Sequence, residues 1–175
     1  MLKRAGGLVL AWLTPLDASA QGDQSARPAR GDVLVRVGDA TATPLTPADV
    51  TGTAVVMAWP ATPAGVVRSG SRLNRLVLVR LDPASLAERS RPHAAEGVVA
   101  YSAVCTHTGC EVGAFLADEQ VLYCDCHESK FDPRDQGRVI GGPAPRNLPA
   151  LPLTLVDGRL TVAGAFTARP GFEQG

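Results

Sequence analysis

The sequence predicts an all-β protein, because short strand-like runs alternate with turn residues along most of its length. The 175 residues include 18 glycines and 14 prolines, which favour turns and interrupt long helices. The clearest hairpin signal is Asp157-Gly158, since Asp-Gly suits the two positive φ angles of a type I′ turn. Apolar and β-branched residues flank it, so residues 151–156 and 159–162 are predicted to pair.

Four earlier runs also have the composition of strands, rich in valine and leucine or alternating in polarity. They are residues 33–37, 53–57, 76–81 and 98–104. Asp82 followed by Pro83 predicts a short helix over residues 82–89, because aspartate is a good N-cap and proline suits the first helical position. Residues 141–149 are rich in glycine and proline and predict an irregular, stiffened loop.

The amino-acid composition indicates how the chain is divided into domains and which classes of partner are not expected. Seventeen basic and seventeen acidic residues cancel, and no run of like charge occurs, so nucleic acid is not an expected partner. A hydrophobic content of 45% is that of a packed globule. Residues 21–30 are polar and aperiodic and predict a linker. Residues 31–170 are predicted to form one domain.

Residues 1–20 resemble an export signal. Lys3 and Arg4 precede a mostly apolar run, and Ala-Ser-Ala at residues 18–20 supplies the small residues of a cleavage site. The apolar run is about 12 residues long, whereas a membrane-spanning helix needs roughly 20. A retained membrane anchor is therefore the less favoured alternative.

All four cysteines and two of the three histidines fall in two short segments, CTHTGC at residues 105–110 and CDCHES at residues 124–129. A shared metal centre would take one thiolate and one imidazole from each segment, and one cysteine of each would remain. The four candidate ligands are Cys105, His107, Cys124 and His127, and the two remaining cysteines are Cys110 and Cys126.

Three kinds of site compete for these residues. A structural zinc site accepts two cysteines and two histidines, but zinc fingers usually offer a cysteine pair on one side and a histidine pair on the other. Two structural disulfides suit an exported protein with an even cysteine count, yet they leave the histidines unexplained. A [2Fe-2S] cluster with two cysteines on one iron and two histidines on the other leaves a role for all six residues.

The two segments resemble the paired motif of Rieske iron–sulfur proteins, C-T-H-x-G-C followed by C-x-C-H-x-S, at every defining position. Gly-Pro-Ala-Pro at residues 142–145 is similar to the proline-bearing loop that covers the cluster in that family. The resemblance covers roughly residues 100–153. It implies a Rieske fold of stacked antiparallel sheets with a small cluster-binding subdomain of loops, at about residues 100–150.

The same resemblance assigns roles to individual residues. It implies a disulfide that ties the two loops together, between Cys110 and Cys126. The cluster ligands that it implies are Cys105 and Cys124 on the inner iron and His107 and His127 on the outer iron. The residues that it places around the cluster are Gly109, Ser129, Phe131 and Pro143.

Two of the surrounding residues bear on the reduction potential. Ser129 matches a serine whose hydroxyl donates to a bridging sulfide, which would stabilise the added electron. Phe131 stands where high-potential respiratory members have a tyrosine that donates to a ligand cysteine, and phenylalanine has no such proton. Hydrogen bonds to the sulfurs set the potential of such clusters, so an intermediate value is expected.

The extra cysteine pair is similar to that of the exported, disulfide-bearing Rieske group. Within it, residues 98–105 and Phe131 favour the small subunit of arsenite oxidase. The implied role is periplasmic electron transfer between a molybdenum oxidoreductase and a c-type cytochrome, with the cluster inserted before export. A quinol–cytochrome c reductase subunit is the alternative, and a cluster-based sensor is less favoured.

No substrate-converting site is expected in the chain itself. An oxygenase needs a second iron, usually held by two histidines and a carboxylate. His93 is the third and last histidine of the sequence, and its Arg-Pro-His-Ala context is typical of a loop.

Overall fold

The computed structural model describes residues 24–172. The predicted export signal, residues 1–20, lies outside them. Within residues 24–172 no helix is long and apolar enough to cross a bilayer.

In this part of the chain ten strands and four short 3₁₀ helices alternate with turns. The strands are β1 (Val33–Arg36), β2 (Val56–Ala61), β3 (Leu76–Arg80), β4 (Val98–Ser102), β5 (Ala114–Leu116), β6 (Val121–Cys124), β7 (Ser129–Asp132), β8 (Arg138–Gly141), β9 (Leu153–Val156) and β10 (Arg159–Val162). The 3₁₀ helices are Pro47–Asp49, Arg72–Asn74, Pro83–Ser85 and Arg91–His93.

The strands form two antiparallel sheets, which confirms the predicted all-β class. A six-stranded sheet has the order β4-β3-β2-β1-β10-β9, and a four-stranded sheet has the order β5-β6-β7-β8. The second sheet makes up much of the part predicted as a subdomain of loops. Its strands are only three or four residues long and include polar residues such as Lys130. Their sequences therefore show no alternation of apolar and polar residues that would predict strands.

Two hydrophobic cores lie on opposite faces of the neighbouring strands β3 and β4. Successive side chains of a strand point to opposite faces, and Val77 and Val79 accordingly join one core while Leu76 and Leu78 join the other. The first core connects the two sheets. It also contains Cys105 and Cys124, the two candidate thiolate ligands.

Tyr101 on β4 links the two sheets with a hydrogen bond. Its ring is 1% exposed, and its hydroxyl donates to the carbonyl of Pro133 at 2.7 Å. Burial raises the pKa of this phenol well above its usual range, because the charged form would lose its hydration. The tyrosine is therefore a neutral donor that holds the chain after β7 against the larger sheet.

Local sequence signals located several elements. Three predicted strands coincide with β1, β3 and β4 to within two residues. The predicted hairpin is β9–β10, and its turn has φ angles of 50° at Asp157 and 73° at Gly158, as a type I′ turn requires. The Asp82 side chain accepts a hydrogen bond from the Ala84 amide at 2.9 Å, which confirms the predicted cap.

Two predicted boundaries were wrong. The helix expected over residues 82–89 is a single 3₁₀ turn, Pro83–Ser85, because the next residue, Leu86, adopts an extended backbone and is buried. The strand expected at residues 53–57 begins later and continues through Pro60. Proline is tolerated there because the pairing of β2 with β3 ends at Ala58, so no ladder donor is missing on that side.

Residues 24–30, most of the predicted linker, lie against the domain. The Gly70 amide donates to the Gln24 carbonyl at 3.0 Å, and the Asn74 side chain donates to the Ala26 carbonyl at 2.8 Å. The segment thus shares hydrogen bonds with the turn that precedes β3.

A buried ion pair fixes the point where this segment enters the sheet. The Arg68 guanidinium donates to both carboxylate oxygens of Asp32, with Nε–Oδ2 at 2.6 Å and Nη2–Oδ1 at 3.1 Å. Oδ2 also accepts from the Ala29 amide at 2.8 Å. The two side chains are 9% and 3% exposed, so neither charge is well hydrated without the other.

We expect Asp32→Asn to lower the free energy of unfolding by about 3 kcal/mol, because it leaves the buried Arg68 charge without its counterion. Urea denaturation measures this loss. Asp118→Asn, at an exposed turn position, is the matched control and should change stability by less than about 0.5 kcal/mol. Equal effects of the two substitutions would contradict the role of the ion pair.

Candidate metal centre

The first motif forms a tight loop directly after β4. The Cys105 amide donates to the Cys110 carbonyl at 2.8 Å, and the Gly109 amide donates back to the Cys105 carbonyl at 3.1 Å. Gly109 has φ of +82°, a conformation that glycine adopts without strain. These bonds hold Cys105 at the base of the loop and turn His107 outward.

The second motif is the turn of the β6–β7 hairpin. Cys124 is the last residue of β6 and pairs with Ser129, the first residue of β7. Cys126 and His127 therefore lie on the four-residue connection, while Cys124 is anchored in the sheet. The family resemblance placed the ligands in loops, and for Cys124 the strand end provides firmer support.

A disulfide joins the two loops. It connects Cys110 with Cys126, the pair that the resemblance implied. The sulfur of Cys124 lies within 4.8 Å of both disulfide sulfurs. These three atoms do not make a ligand set, because two of them are bonded to each other.

Cys105 and Cys124 remain as free, buried thiols, each 1% exposed. Burial and the neighbouring Cys105 thiol raise the pKa of the Cys124 thiol to about 11. Both effects disfavour the thiolate. A metal that binds here must therefore displace a proton from Cys124.

The two histidines, one on each loop, lie close together. Their Nδ1 atoms are 3.3 Å apart, and their rings meet edge to face with centroids 4.6 Å apart. Both rings thus direct Nδ1 toward the same place. His107 is half-buried and His127 is exposed, so the site has a thiol side in the core and an imidazole side at the surface.

Ser129 tests whether these residues suit an iron–sulfur cluster. The side chain is 0% exposed, and its Oγ has no hydrogen-bond partner among the described residues. A buried hydroxyl normally has a partner. Inorganic sulfide can accept its hydrogen bond, whereas a lone zinc ion offers no acceptor. The donor set and this serine therefore fit a [2Fe-2S] cluster better than zinc.

The remaining predicted neighbours form the walls of the site. Phe131 is 0% exposed and belongs to the same core as Cys105 and Cys124, so it supplies an apolar wall with no donor. Pro143 is exposed and follows Gly142. A Cβ atom at Gly142 would lie 2.5 Å from the Ser129 Cα, so only glycine lets the proline-bearing loop approach β7 this closely.

The fold and the two loops define a β-protein with a mixed thiolate and imidazole metal centre. A model of the Rieske [2Fe-2S] domain matches residues 52–152. The chain therefore belongs to the Rieske family, and membership implies a Rieske-type [2Fe-2S] cluster as its cofactor.

Two curated relatives illustrate the similarity. The chain is 41% identical over 93 residues to a cytochrome bc1 complex Rieske iron-sulfur subunit of Streptomyces lividans, covering 52% of this chain and 55% of the relative. It is 46% identical over 76 residues to a putative respiratory nitrate reductase subunit Rieske of Haloferax mediterranei, covering 43% and 34%. The match thus spans about half of the first relative and a third of the second.

Among solved structures, the chain is similar to the soluble domain of the Rieske protein II (soxF) from Sulfolobus acidocaldarius. The sequence identity is 26% and the TM-score is 0.46, with 58% of this chain and 66% of that chain covered.

We expect His107→Ala and His127→Ala each to abolish the visible absorption of the [2Fe-2S] cluster, because each removes one of the two candidate imidazole ligands. His93→Gln is the matched control, since His93 lies on a separate 3₁₀ helix. Iron and sulfide analysis of the purified variants provides the measurement. A full complement of iron and sulfide in either alanine variant would refute the assignment.

We expect the double substitution Cys110→Ser and Cys126→Ser to leave a folded protein that is less stable by about 3 kcal/mol, the typical effect of a disulfide closing a loop of this length. The bond joins two residues that are 16 positions apart in the sequence. Chemical denaturation measures the loss, and cluster absorbance over time should decay faster. Unchanged stability and decay would show that the loops hold together without the bond.

Proposed function

We propose that this chain is an electron-transfer protein whose Rieske cluster is held by Cys105, Cys124, His107 and His127. The observation that carries the proposal is that the two Nδ1 atoms lie 3.3 Å apart, on two segments that begin at the buried, free cysteines Cys105 and Cys124. When bound, the cluster supplies a centre that gains and loses one electron. The chain has to hold it with little movement and expose one edge to a partner.

The two histidines form that edge. Binding through Nδ1 leaves Nε2 of each ring directed away from the centre, and the exposed His127 is the residue that a partner can reach. A neutral imidazole bound through one nitrogen carries a proton on the other. His127 can therefore donate a hydrogen bond to a docked partner. The cysteine side of the centre is buried in the core, so water does not reach it.

For the partner, the relatives favour a quinol–cytochrome c reductase, or cytochrome bc1, complex. Several curated relatives are described as Rieske subunits of such complexes. They support this alternative better than the arsenite oxidase type that the local resemblance favoured. We therefore propose a c-type cytochrome as the electron acceptor.

A second candidate function is electron transfer for a different respiratory oxidoreductase, such as a molybdenum enzyme. Phe131 in place of tyrosine favours it, because the residue gives the ligand sulfurs no hydrogen bond. The relative described as a putative respiratory nitrate reductase subunit extends the comparison beyond bc1 complexes.

We propose that the protein acts outside the cytoplasm, in the periplasm. The Cys110–Cys126 disulfide is typical of oxidising compartments, and the apolar N-terminal segment is consistent with export. Mass spectrometry of the periplasmic fraction, with and without reductant, tests both the location and the bond.

Two experiments test the function. Dithionite-reduced, cluster-loaded protein mixed with oxidised c-type cytochrome in a stopped-flow instrument should reduce the haem. The His127→Ala protein, which is expected to hold no cluster, should not. A tagged chain purified from its own membranes should bring a cytochrome b with it. Recovery of a molybdenum-containing subunit instead would favour the second candidate, and failure to reduce any cytochrome would refute electron transfer to this class of acceptor.

We expect Phe131→Tyr to raise the reduction potential and Ser129→Ala to lower it, each by about 40 mV. This value corresponds to one hydrogen bond of about 1 kcal/mol made to the reduced cluster. Phe166→Tyr, whose ring packs against the other core, is the matched control and should leave the potential unchanged. A redox titration followed by EPR measures all three, and shifts of the opposite sign would contradict the proposed contacts.

A further inference from the structure

The last described residues, 169–172, reach back to the first cluster loop. We call them the C-terminal segment. The Phe172 ring lies directly against Gly109, where a Cβ atom would be 2.7 Å from the Phe172 Cδ1. Gly109 is buried, so glycine at this position serves both the positive φ angle and the close approach of the ring.

Arg146 connects the C-terminal segment with the same loop from the other side. Its guanidinium donates to the Arg169 carbonyl at 3.0 Å and to the Gly171 carbonyl. Its own carbonyl accepts a hydrogen bond from the Thr106 hydroxyl at 2.6 Å. Thr106 is 1% exposed and immediately precedes His107, so this contact restrains the backbone beside a candidate ligand.

Arg72 provides the third contact. It lies on the 3₁₀ helix before β3, and its guanidinium donates to the Gly109 carbonyl. The neighbouring Leu73 side chain packs against Gly171, where a Cβ atom would be 2.9 Å from Leu73 Cδ2. The C-terminal segment is thus enclosed between this helix and the cluster loop.

These contacts are unequal for the two histidines. His107 is flanked by Thr106 and Gly109, and both are bonded to groups outside the four-stranded sheet. For His127, the supports described above are the β6–β7 hairpin, the proline-bearing loop and the disulfide, and the disulfide also ties this loop to the His107 loop. The contacts with Arg72 and the C-terminal segment therefore act on the His107 loop.

We infer that the C-terminal segment, together with Arg146 and Arg72, positions the His107 side of the metal centre and slows loss of the cluster. The inference rests on the proposed function only in assuming that His107 is a ligand. Arg146 and Arg72 are positioning residues in this scheme, since they act through the Thr106 hydroxyl and the Gly109 carbonyl. The C-terminal segment, residues 169–172, thus contacts the first cluster loop directly.

The test compares Thr106→Val, Phe172→Ala and Arg146→Met in the cluster-loaded full chain. Each variant should lose cluster absorbance about tenfold faster in the presence of an iron chelator, as expected for loss of one hydrogen bond or one well-packed ring. Each should also broaden or shift the EPR signal of the reduced cluster. Arg146→Lys should restore part of the retention, because lysine can still donate to a carbonyl.

Arg159→Met is the matched control, an exposed arginine on β10 that removes the same charge. Urea denaturation of the cluster-free proteins separates positioning from general stability. Thr106→Val is the mildest change, so it keeps the test informative when a larger substitution prevents folding.

The inference is overturned when Thr106→Val and Phe172→Ala match Arg159→Met in both EPR signal and retention. It is also overturned when cluster loss follows only the decrease in cluster-free stability. These outcomes differ from failure of the proposed function, in which the unaltered chain itself holds no cluster or does not reduce a cytochrome.

Discussion

The disulfide between Cys110 and Cys126 is the interaction on which the metal centre depends. The first cluster loop leaves β4 of the six-stranded sheet, whereas the second connects two strands of the smaller sheet. Four ligand atoms must nevertheless meet within a fraction of an ångström of their required positions. Packing between sheets alone would leave both loop tips free to move at the surface, and the covalent bond removes that freedom next to His127.

Burial divides the centre into two chemically different sides. Cys105 and Cys124 belong to the core between the sheets, where both thiols are shielded from water. Burial raises the pKa of the Cys124 thiol, which disfavours its thiolate until a metal binds. The imidazoles lie toward the surface. This gradient suits a redox protein, because the sulfur side is protected from water while the nitrogen side stays within reach of a partner. Ser129 also suits a bound cofactor. Its buried hydroxyl has no hydrogen-bond acceptor among the described residues, and the cofactor would supply one.

Short sequence patterns correctly predicted the turns and strands that depend mainly on neighbouring residues. Asp157-Gly158 specified its turn because two positive φ angles admit few other residues. The nearly continuous apolar runs of β3 and β4 indicated strands because both faces of these strands are buried, each in its own core. The strands of the smaller sheet escaped prediction, since segments such as β7 are too short and polar to show a period. Leu86 shows the opposite failure, in which burial in the core overrode a well-formed helix cap.

By itself, the sequence determined the chemistry of this protein: two cysteines and two histidines paired across two loops, an additional cysteine in each, and a serine and a phenylalanine beside them. Those identities follow from short-range spacing. Only the tertiary structure decided that the Nδ1 atoms converge, that the Ser129 hydroxyl is orphaned, and that the C-terminal segment supports the first loop. The supporting contacts join residues 37 and 40 positions apart, Arg72 with Gly109 and Thr106 with Arg146. No local pattern encodes them, because they exist only after distant parts of the chain have packed together.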